Sequence, residues 1–422
     1  MSSEPTIAFV WCWLPGADEP VVSGRLSAAG DIVNFNYGQS YLAREDAIPL
    51  YLPELPLERG LISPLDGLRL PGCIADAMPD AWGRRVVMQH MLGTDAATEA
   101  DLDRLGTFTY LLESGSDRVG ALDFQESSGT YVGRAGGRAS LEELMNAAER
   151  VDEGRSLTPE LDRALLHGSS IGGARPKALL EDDGRKLIAK FSSSSDEEFA
   201  VVKGEYMAME LARRAGLDVA AVEIEHVMGK DVLLVDRFDR VAGTAQRKAI
   251  ISALTMLALP ETTRPEDWSY VDLVQIIRER FTDPQRTLRE LFSRISFNIL
   301  VGNTDDHPRN HAAFWDGELL TLTPAYDICP QRRAGREAHQ LMAISPDHRR
   351  DSRLALLLEA HAAYQLSEDE AWEIIDHQLQ VIESHWDQVC ELADVTEIER
   401  RYFWRNVFLN PYSTEGYSQG DL

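Results

Sequence analysis

Along the first third of the chain, apolar and polar positions alternate in short runs broken by turn residues: Ile7 to Trp13, Val21 to Leu26 and Ile32 to Tyr37, with Ala29-Gly30-Asp31 between the last two. A period of two buries one face of a strand and leaves the other wet, so these runs predict a small strand-rich unit. The pattern turns helical around Ile74 to Leu92, and Ala121 to Phe124 predicts a further short strand. The Ser- and Gly-bearing stretch ESSGTYVGRAGGRAS, Glu126 to Ser140, follows as the linker candidate.

Beyond Leu165 the order of elements is more telling. Lys177 to Glu181 and Arg185 to Phe191 are strand-like runs joined by Asp182-Asp183-Gly184, a hairpin signal. A helix is expected directly afterwards. Ser195 and Glu198 have the spacing of a capping box, and Glu197 and Glu198 suit the positive end of the helix dipole. Phe199, Val202, Tyr206 and Met209 recur at helical spacing, and Gly216 can supply the C-terminal cap. Val222 to Val227 and Asp231 to Val235 predict a second strand pair around Met228-Gly229-Lys230. Helices are then predicted at Val271 to Arg280 and Thr287 to Leu300, the latter with Leu288, Leu291, Phe292, Ile295 and Ile299 as its apolar stripe. One hairpin interrupts them: Ala312 to Trp315, the turn Asp316-Gly317, and Glu318 to Leu322. Ser367 and Glu370 form another capping-box pattern before Trp372, Ile374 and Ile375. No repeat or low-complexity block is present, and the second two thirds read as a β-containing lobe followed by a helical lobe.

At 422 residues, 44% hydrophobic and 26% charged, the chain has the make-up of a globular protein of two or three units. Its 42 basic and 69 acidic side chains leave a formal charge of −27. Such a surface repels nucleic acid and anionic membranes at long range, so direct DNA binding is disfavoured. A phosphate-bearing ligand would need a local cationic pocket or a metal ion. Cys12, Cys73, Cys329 and Cys390 lie far apart without a C-x-x-C pair, which argues against a structural zinc site or a disulfide framework and for a reducing cytosol. The N-terminus has no basic region before an apolar run, and no stretch reaches the ~18–20 apolar residues of a membrane span. A cytoplasmic protein with no membrane association is expected.

The order hairpin, helix, strands, helices, loop, hairpin suggests a test for the parts of a phosphoryl-transfer site. A kinase needs a strand Lys for the nucleotide phosphates, a helical Glu to hold it, a catalytic Asp with an Asn five residues on, and a metal-binding Asp beyond. Lys190 in LIAKF, Glu205 on the next helix, Asp305 and Asn310 in NTDDHPRN, and Asp327 in PAYDI fill these places in order. Asn310 and Asp327 offer the hard oxygen donors that Mg2+ takes. D-x-x-x-x-N alone is weakly specific; the ordered combination carries the argument.

Three other features fit more than one role. Gly168 to Lys177 (GSSIGGARPK) matches neither common phosphate-loop pattern, so it reads as an ordinary loop or as a cradle with local charge from Arg175 and Lys177. Asp236 to Arg240 (DRFDR) reads as a solvated ion-pair network or as a lobe hinge beside a nucleotide base. His307 and His311, four apart beside Asp305 and Asp306, have metal-ligand spacing, but Pro308 and the loop setting favour plain hydrogen bonding.

Taken together, SSIGGARPKALL (Ser169 to Leu180), LIAKF, GEYMAMELARRAGL (Gly204 to Leu217), VDRFDR (Val235 to Arg240), GNTDDHPRN (Gly302 to Asn310) and LTPAYDI (Leu322 to Ile328) resemble the HipA-like serine/threonine kinases of bacterial toxin-antitoxin systems. IADAMPDAWGRR (Ile74 to Arg85) looks like that family's N-terminal subdomain, and MAIS near Met342 like its late helical region, so the resemblance covers nearly the whole chain. It implies an α+β fold with a bilobal protein-kinase-like core, a strand-rich N-terminal subdomain over 1–135 and a kinase domain over 136–422. The nucleotide lobe would span about 160–245 and the helical lobe about 246–422.

The resemblance further implies ATP- and Mg2+-dependent phosphorylation of a protein Ser or Thr, with Asp305 as the base, Asn310 and Asp327 as Mg2+ ligands and Lys190 on the phosphates. Gly172, Gly173, Ala174, Arg175, Pro176 and Lys177 would cover the phosphates. Asp236, Arg237 and Phe238 would meet the adenine side, and His307 and Tyr326 would line the nucleotide. Ser170 falls at the family's autophosphorylation site, with Ser169 beside it. The implied partners are a HipB-like helix-turn-helix antitoxin, through which alone DNA is reached, and a protein substrate such as an aminoacyl-tRNA synthetase. A catalytically quiet antitoxin-binding co-regulator and a small-molecule kinase are the alternatives on the same fold.

Overall fold

Residues 5–92, 105–134, 139–171, 173, 175–192, 200–333 and 335–417 are described by the computed structural model. Strands β1 (Ile7–Cys12), β2 (Val21–Ala29), β3 (Ile32–Tyr37) and β4 (Leu122–Gln125) form an antiparallel sheet in the order β3-β2-β1-β4. Ala8 and Val10 of β1, Leu26 of β2 and Phe35 of β3 are fully buried, as the alternation predicts. The helical run expected over Ile74 to Leu92 is split into Gly72–Ala75 and Ala81–Leu92. Pro79 explains the break, since it lacks an N–H and disfavours helical backbone before it. The linker candidate is no free tether up to Arg134. Tyr131 packs on Trp11 and Trp13 at 5.5 and 5.4 Å, and Arg134 pairs with Asp123 at 2.8 Å.

The second sheet joins β5 (Lys177–Asp182), β6 (Arg185–Phe191), β7 (Val222–Val227) and β8 (Lys230–Asp236) in the order β5-β6-β8-β7. Its first turn has positive φ at both Asp183 and Gly184, the geometry an Asp-Gly hairpin requires. The next helix, Val201–Arg214, starts after Ala200, whose side chain makes no cap bond. Ser195, Glu197, Glu198 and Phe199, the residues expected to open it, lie outside the described residues. Val202 and Met209 are buried on it as expected, and Gly216 follows its end with φ +83°.

A strand absent from the sequence reading, β9 (Ala249–Ser252), adds to β10 (Ala312–Trp315) and β11 (Leu320–Leu322) in the order β11-β10-β9. Helices Leu141–Asp152 and Pro159–His167 were likewise not anticipated. Helix Pro284–Val301 runs through the core, opened by Asp283 and Pro284 and closed by Gly302 at φ 72°. Glu368–Leu392 carries the expected Ser367–Glu370 capping box. The fold is therefore α+β, strand-rich at the N-terminal end and helical at the C-terminal end. Among the described residues no helix is long and apolar enough to cross a membrane.

The N-terminal unit is clasped to the end of β8 by charge. Arg237 donates to Asp239 through Nε (2.9 Å) and Nη2 (2.8 Å), to Asp117 through Nη1 (2.9 Å) and to the Arg118 carbonyl (2.7 Å). Arg240 reaches Asp117 at 2.7 Å and Asp239 at 2.8 Å, and Asp239 accepts the Gly120 N–H at 2.8 Å. Arg237 and Asp239 are buried, so the cluster is not the solvated network that DRFDR also allowed. Burial works against the Asp239 charge, but Arg237 and Arg240 outweigh it and hold the carboxyl below the usual range.

Candidate active site

Lys177 of β5 and Lys190 of β6 are directly opposed in the ladder, so both side chains leave the same face of the sheet. The Lys190 ammonium sits between two carboxylates, at 2.5 Å from Glu205 Oε1 and 2.5 Å from Asp327 Oδ1. Helix Val201–Arg214 supplies Glu205, fully within the core, and the chain after β11 supplies Asp327. Burial opposes the Lys190 charge, yet Asp327 and Glu205 together hold it above the ordinary lysine value. Burial likewise opposes the Asp327 charge, and Lys190 holds that carboxyl well below the carboxylate range. Glu205 moves up instead, through burial and the nearby Asp327 charge. Asp327 is thus the firmly ionised member, and its φ of 59° is unusual for a residue with a side chain.

The loop after Gly302 brings Asp305 and Asp306 side by side for opposite tasks. Asp306 is buried, and its Oδ2 accepts from Tyr270 Oη at 2.5 Å, His311 Nε2 at 2.7 Å and Asn298 Nδ2 at 2.8 Å. Burial would raise its pKa, but His311 and the Tyr270 hydroxyl hold it below the ordinary value. Asp305 faces solvent. Partial loss of water raises its carboxyl; His307 opposes that shift and the Asp327 charge adds to it. One aspartate pins the loop and the other presents a free carboxylate.

The rest of the wall follows from the same loop. Tyr326 Oη donates to the Arg309 carbonyl at 2.6 Å, and the Tyr326 ring lies 5.6 Å from Phe238, which also meets Phe314 at 5.9 Å. Asn310 is buried in a turn closed by its N–H to the His307 carbonyl at 2.8 Å. His307 Nδ1 is buried with no partner among the described residues. Asn310 and Asp327 are oxygen donors, and among the described residues no group of three or more His, Cys, Asp or Glu could hold a metal alone. That set suits Mg2+, which keeps waters and arrives with phosphates, while His311 turns its Nε2 to Asp306.

Of the residues singled out from the sequence, Lys190, Glu205 and Asp327 are in contact. Charges at Asp305, Arg175, Lys177 and His307 act on that group. Gly172 and Ala174 lie outside the described residues, Gly173 has φ +110°, and the Pro176 carbonyl accepts the Phe191 N–H at 3.0 Å. Two side chains turn elsewhere: Asp236 binds Arg185 at 2.8 Å, and Arg237 is consumed by the clasp to Asp117 and Asp239. Only Phe238 of that trio adds a side chain to the wall described here. Ser169 and Ser170 are 0% and 1% exposed, with Ser170 Oγ donating to the Gly115 carbonyl at 2.8 Å. In this conformation neither hydroxyl is open to a phosphoryl donor. Sequence reasoning missed the Asp306 anchor; its signal was Asn298, a polar residue inside an apolar stripe that must find a partner when buried.

Comparison with known proteins finds relatives for both parts of the chain. A family profile described as HipA-like C-terminal domain matches residues 169–386, and one described as HipA N-terminal domain matches 19–125. The protein Y4mE of Sinorhizobium fredii is 27% identical over 335 residues, 71% of this chain and 72% of its own length. The serine/threonine-protein kinase toxin HipA of Shewanella oneidensis is 27% identical over 183 residues, 38% of this chain and 42% of that protein. A chain in the solved complex of Shewanella oneidensis HipA, HipB and operator DNA superposes with a TM-score of 0.67 at 21% identity, covering 93% of this chain and 94% of its own. That last likeness is one of fold.

Proposed function

Because the chain belongs to the family of HipA-like kinase toxins, we propose that it transfers the γ-phosphoryl group of ATP to a serine or threonine of a cellular protein, and that a HipB-like helix-turn-helix protein is its antitoxin. One observation carries this reading: a strand lysine held between a helical glutamate and a left-handed aspartate, Lys190 with Glu205 and Asp327. Phosphoryl transfer needs positioning and charge stabilisation more than covalent help, and these groups supply both. Lys190 and Lys177 present cations from one face of the sheet to the nucleotide phosphates. Asp327 and Asn310 would hold Mg2+, which neutralises charge on the transferring group. Asp305, open to solvent, would accept the proton of the attacking hydroxyl as its oxygen bonds to phosphorus and ADP leaves. Phe238, Tyr326 and His307 would line the nucleotide.

Residues 1–135 and 136–422 would act as the N-terminal and kinase domains. The four cysteines are free and buried, which agrees with a reducing cytoplasm. A charge of −27 leaves DNA contact to the antitoxin. Self-phosphorylation at Ser170 would require the loop to leave its niche at Gly115. A phosphate of about −1.5 to −2 charges could not re-enter that niche, so the modified loop would stay out and the site would lose its cover.

The test is the intact mass of the full chain after incubation with Mg2+ and ATP, for wild type, Asp305→Asn and Ser170→Ala. One added phosphate on wild type and none on either variant is the expected result. Wild type that neither gains phosphate nor binds ATP would overturn the kinase reading.

A further inference from the structure

The N-terminal unit reaches the phosphate side of the site at the turn Pro79 to Arg84. Trp82 Nε1 donates to the Lys177 carbonyl at 2.9 Å. A Cβ on Gly83 would stand 1.7 Å from the Ser169 carbonyl oxygen, so this backbone is pressed against the Gly-rich segment. Arg84 reaches Glu261 at 3.5 Å, and Glu261 in turn holds Arg309 of the catalytic loop at 2.6 Å. The turn therefore touches both lips of the site.

Asp80 stands in the middle of it. Its carbonyl accepts the Arg84 N–H at 2.7 Å, and its carboxylate takes the Gly83 N–H, so it caps helix Ala81–Leu92. Capping does not use the whole carboxylate: Oδ1 is buried with no hydrogen-bond partner among the described residues. A Cβ on Gly173 would stand 1.9 Å from Lys177 Nζ and 3.8 Å from Asp80 Oδ2. The ammonium and the carboxylate thus share the space beneath one glycine of the phosphate loop, and Gly173 is needed there for room as well as for its positive φ.

Lys177 is buried and faces the like charge of Lys190. Burial lowers its pKa, and Asp80 is the strongest charge acting in the other direction. Burial pushes Asp80 up to about 6, with Lys177 the strongest group pulling it back. Without such a counter-ion a buried lysine tends to lose its proton or swing out of place.

We propose that Asp80 is a positioning residue for the nucleotide phosphates, holding the Lys177 ammonium beneath Gly173, so that the N-terminal unit completes the site of the kinase unit. This rests on the kinase reading above. A charge fixed before the nucleotide arrives costs no reorganisation on binding, which places the effect in ATP affinity rather than in the transfer step.

The experiment measures ATP dependence of self-phosphorylation by the full chain, with ATP titration of the same proteins beside it. Asp80→Ser keeps a helix-capping hydroxyl without the charge, and Asp80→Glu keeps the charge. Asp80→Ser should raise the apparent KM for ATP about tenfold while the rate at saturation stays within about threefold. Asp80→Glu should recover most of the loss, Lys177→Gln should mimic it, and the double variant should add nothing further. Thermal melting identifies any variant that fails to fold, and the remaining arms of the cycle then decide. Wild-type KM in Asp80→Ser, or effects of Asp80→Ser and Lys177→Gln that multiply, would overturn the inference while leaving the kinase reading intact. A wild type that neither reacts nor binds ATP would instead remove the reading beneath it.

Discussion

Replacing Asp306 by Asn tests the division of labour between the paired aspartates. The substitution keeps size and one acceptor oxygen but removes the charge that Tyr270, His311 and Asn298 all address at Oδ2. Hydrogen bonds to a charged group contribute roughly 1.5–3 kcal/mol and neutral ones about 0.5–1.5. The difference is about 1 kcal/mol for each of three bonds, so roughly 3 kcal/mol in all. With a urea slope near 3 kcal/mol per molar, the unfolding midpoint should fall by about 1 M. Tryptophan fluorescence follows the transition, because Trp268 lies 6.4 Å from His307 on the same loop. Loosening that loop displaces Asp305, and an error of about 1 Å in a reacting group costs on the order of 10² in rate. The sign with pH is also fixed. Asp306 is held below the unfolded value of about 3.9, so its stabilisation is full above that value and is lost as pH falls through its folded pKa. Asp306→Asn should therefore lose less stability than wild type on acidification. A variant with an unchanged midpoint and full self-phosphorylation would refute the anchoring role.

Two further outcomes are expected. Glu205→Gln leaves Lys190 to Asp327 alone and should slow self-phosphorylation by about 10–10² with little change in melting temperature; an unchanged initial rate would remove Glu205 from the site. Asp239→Ala strips a buried partner from both Arg237 and Arg240 and should cost about 3–5 kcal/mol, read as a lower melting temperature and as faster proteolysis between the units.

What the sequence made legible was mostly local. The Asp-Gly turn at Asp183-Gly184 and the capping box at Ser367–Glu370 are decided by a few neighbouring residues, and both formed as expected. Lys190, Glu205 and Asp327 were legible as an ordered set, since each occupies a definable place on a strand, a helix and a post-hairpin loop. Partnerships across the fold were not. Arg237 meets Asp117 from 120 positions away, and nothing in DRFDR tells a wet cluster from a buried clasp. Asp305 and Asp306 are identical neighbours, and only the donors converging from two helices and a loop turn determine which is pinned. Asp80 was visible inside MPDAWGRR, but its relation to Lys177 depends on how the two units meet.

The order β3-β2-β1-β4 has a consequence for how the chain is made. Trp11 Nε1 donates to the Ser127 carbonyl across 116 positions, and β4 is the neighbour that closes one side of β1. Until that distant segment leaves the ribosome, β1 presents an apolar open edge, Phe9-Val10-Trp11, to whatever else is nearby. Any fragment ending before Leu122 keeps that edge permanently, so truncations meant to isolate the N-terminal unit should include Gln125 or expect aggregates.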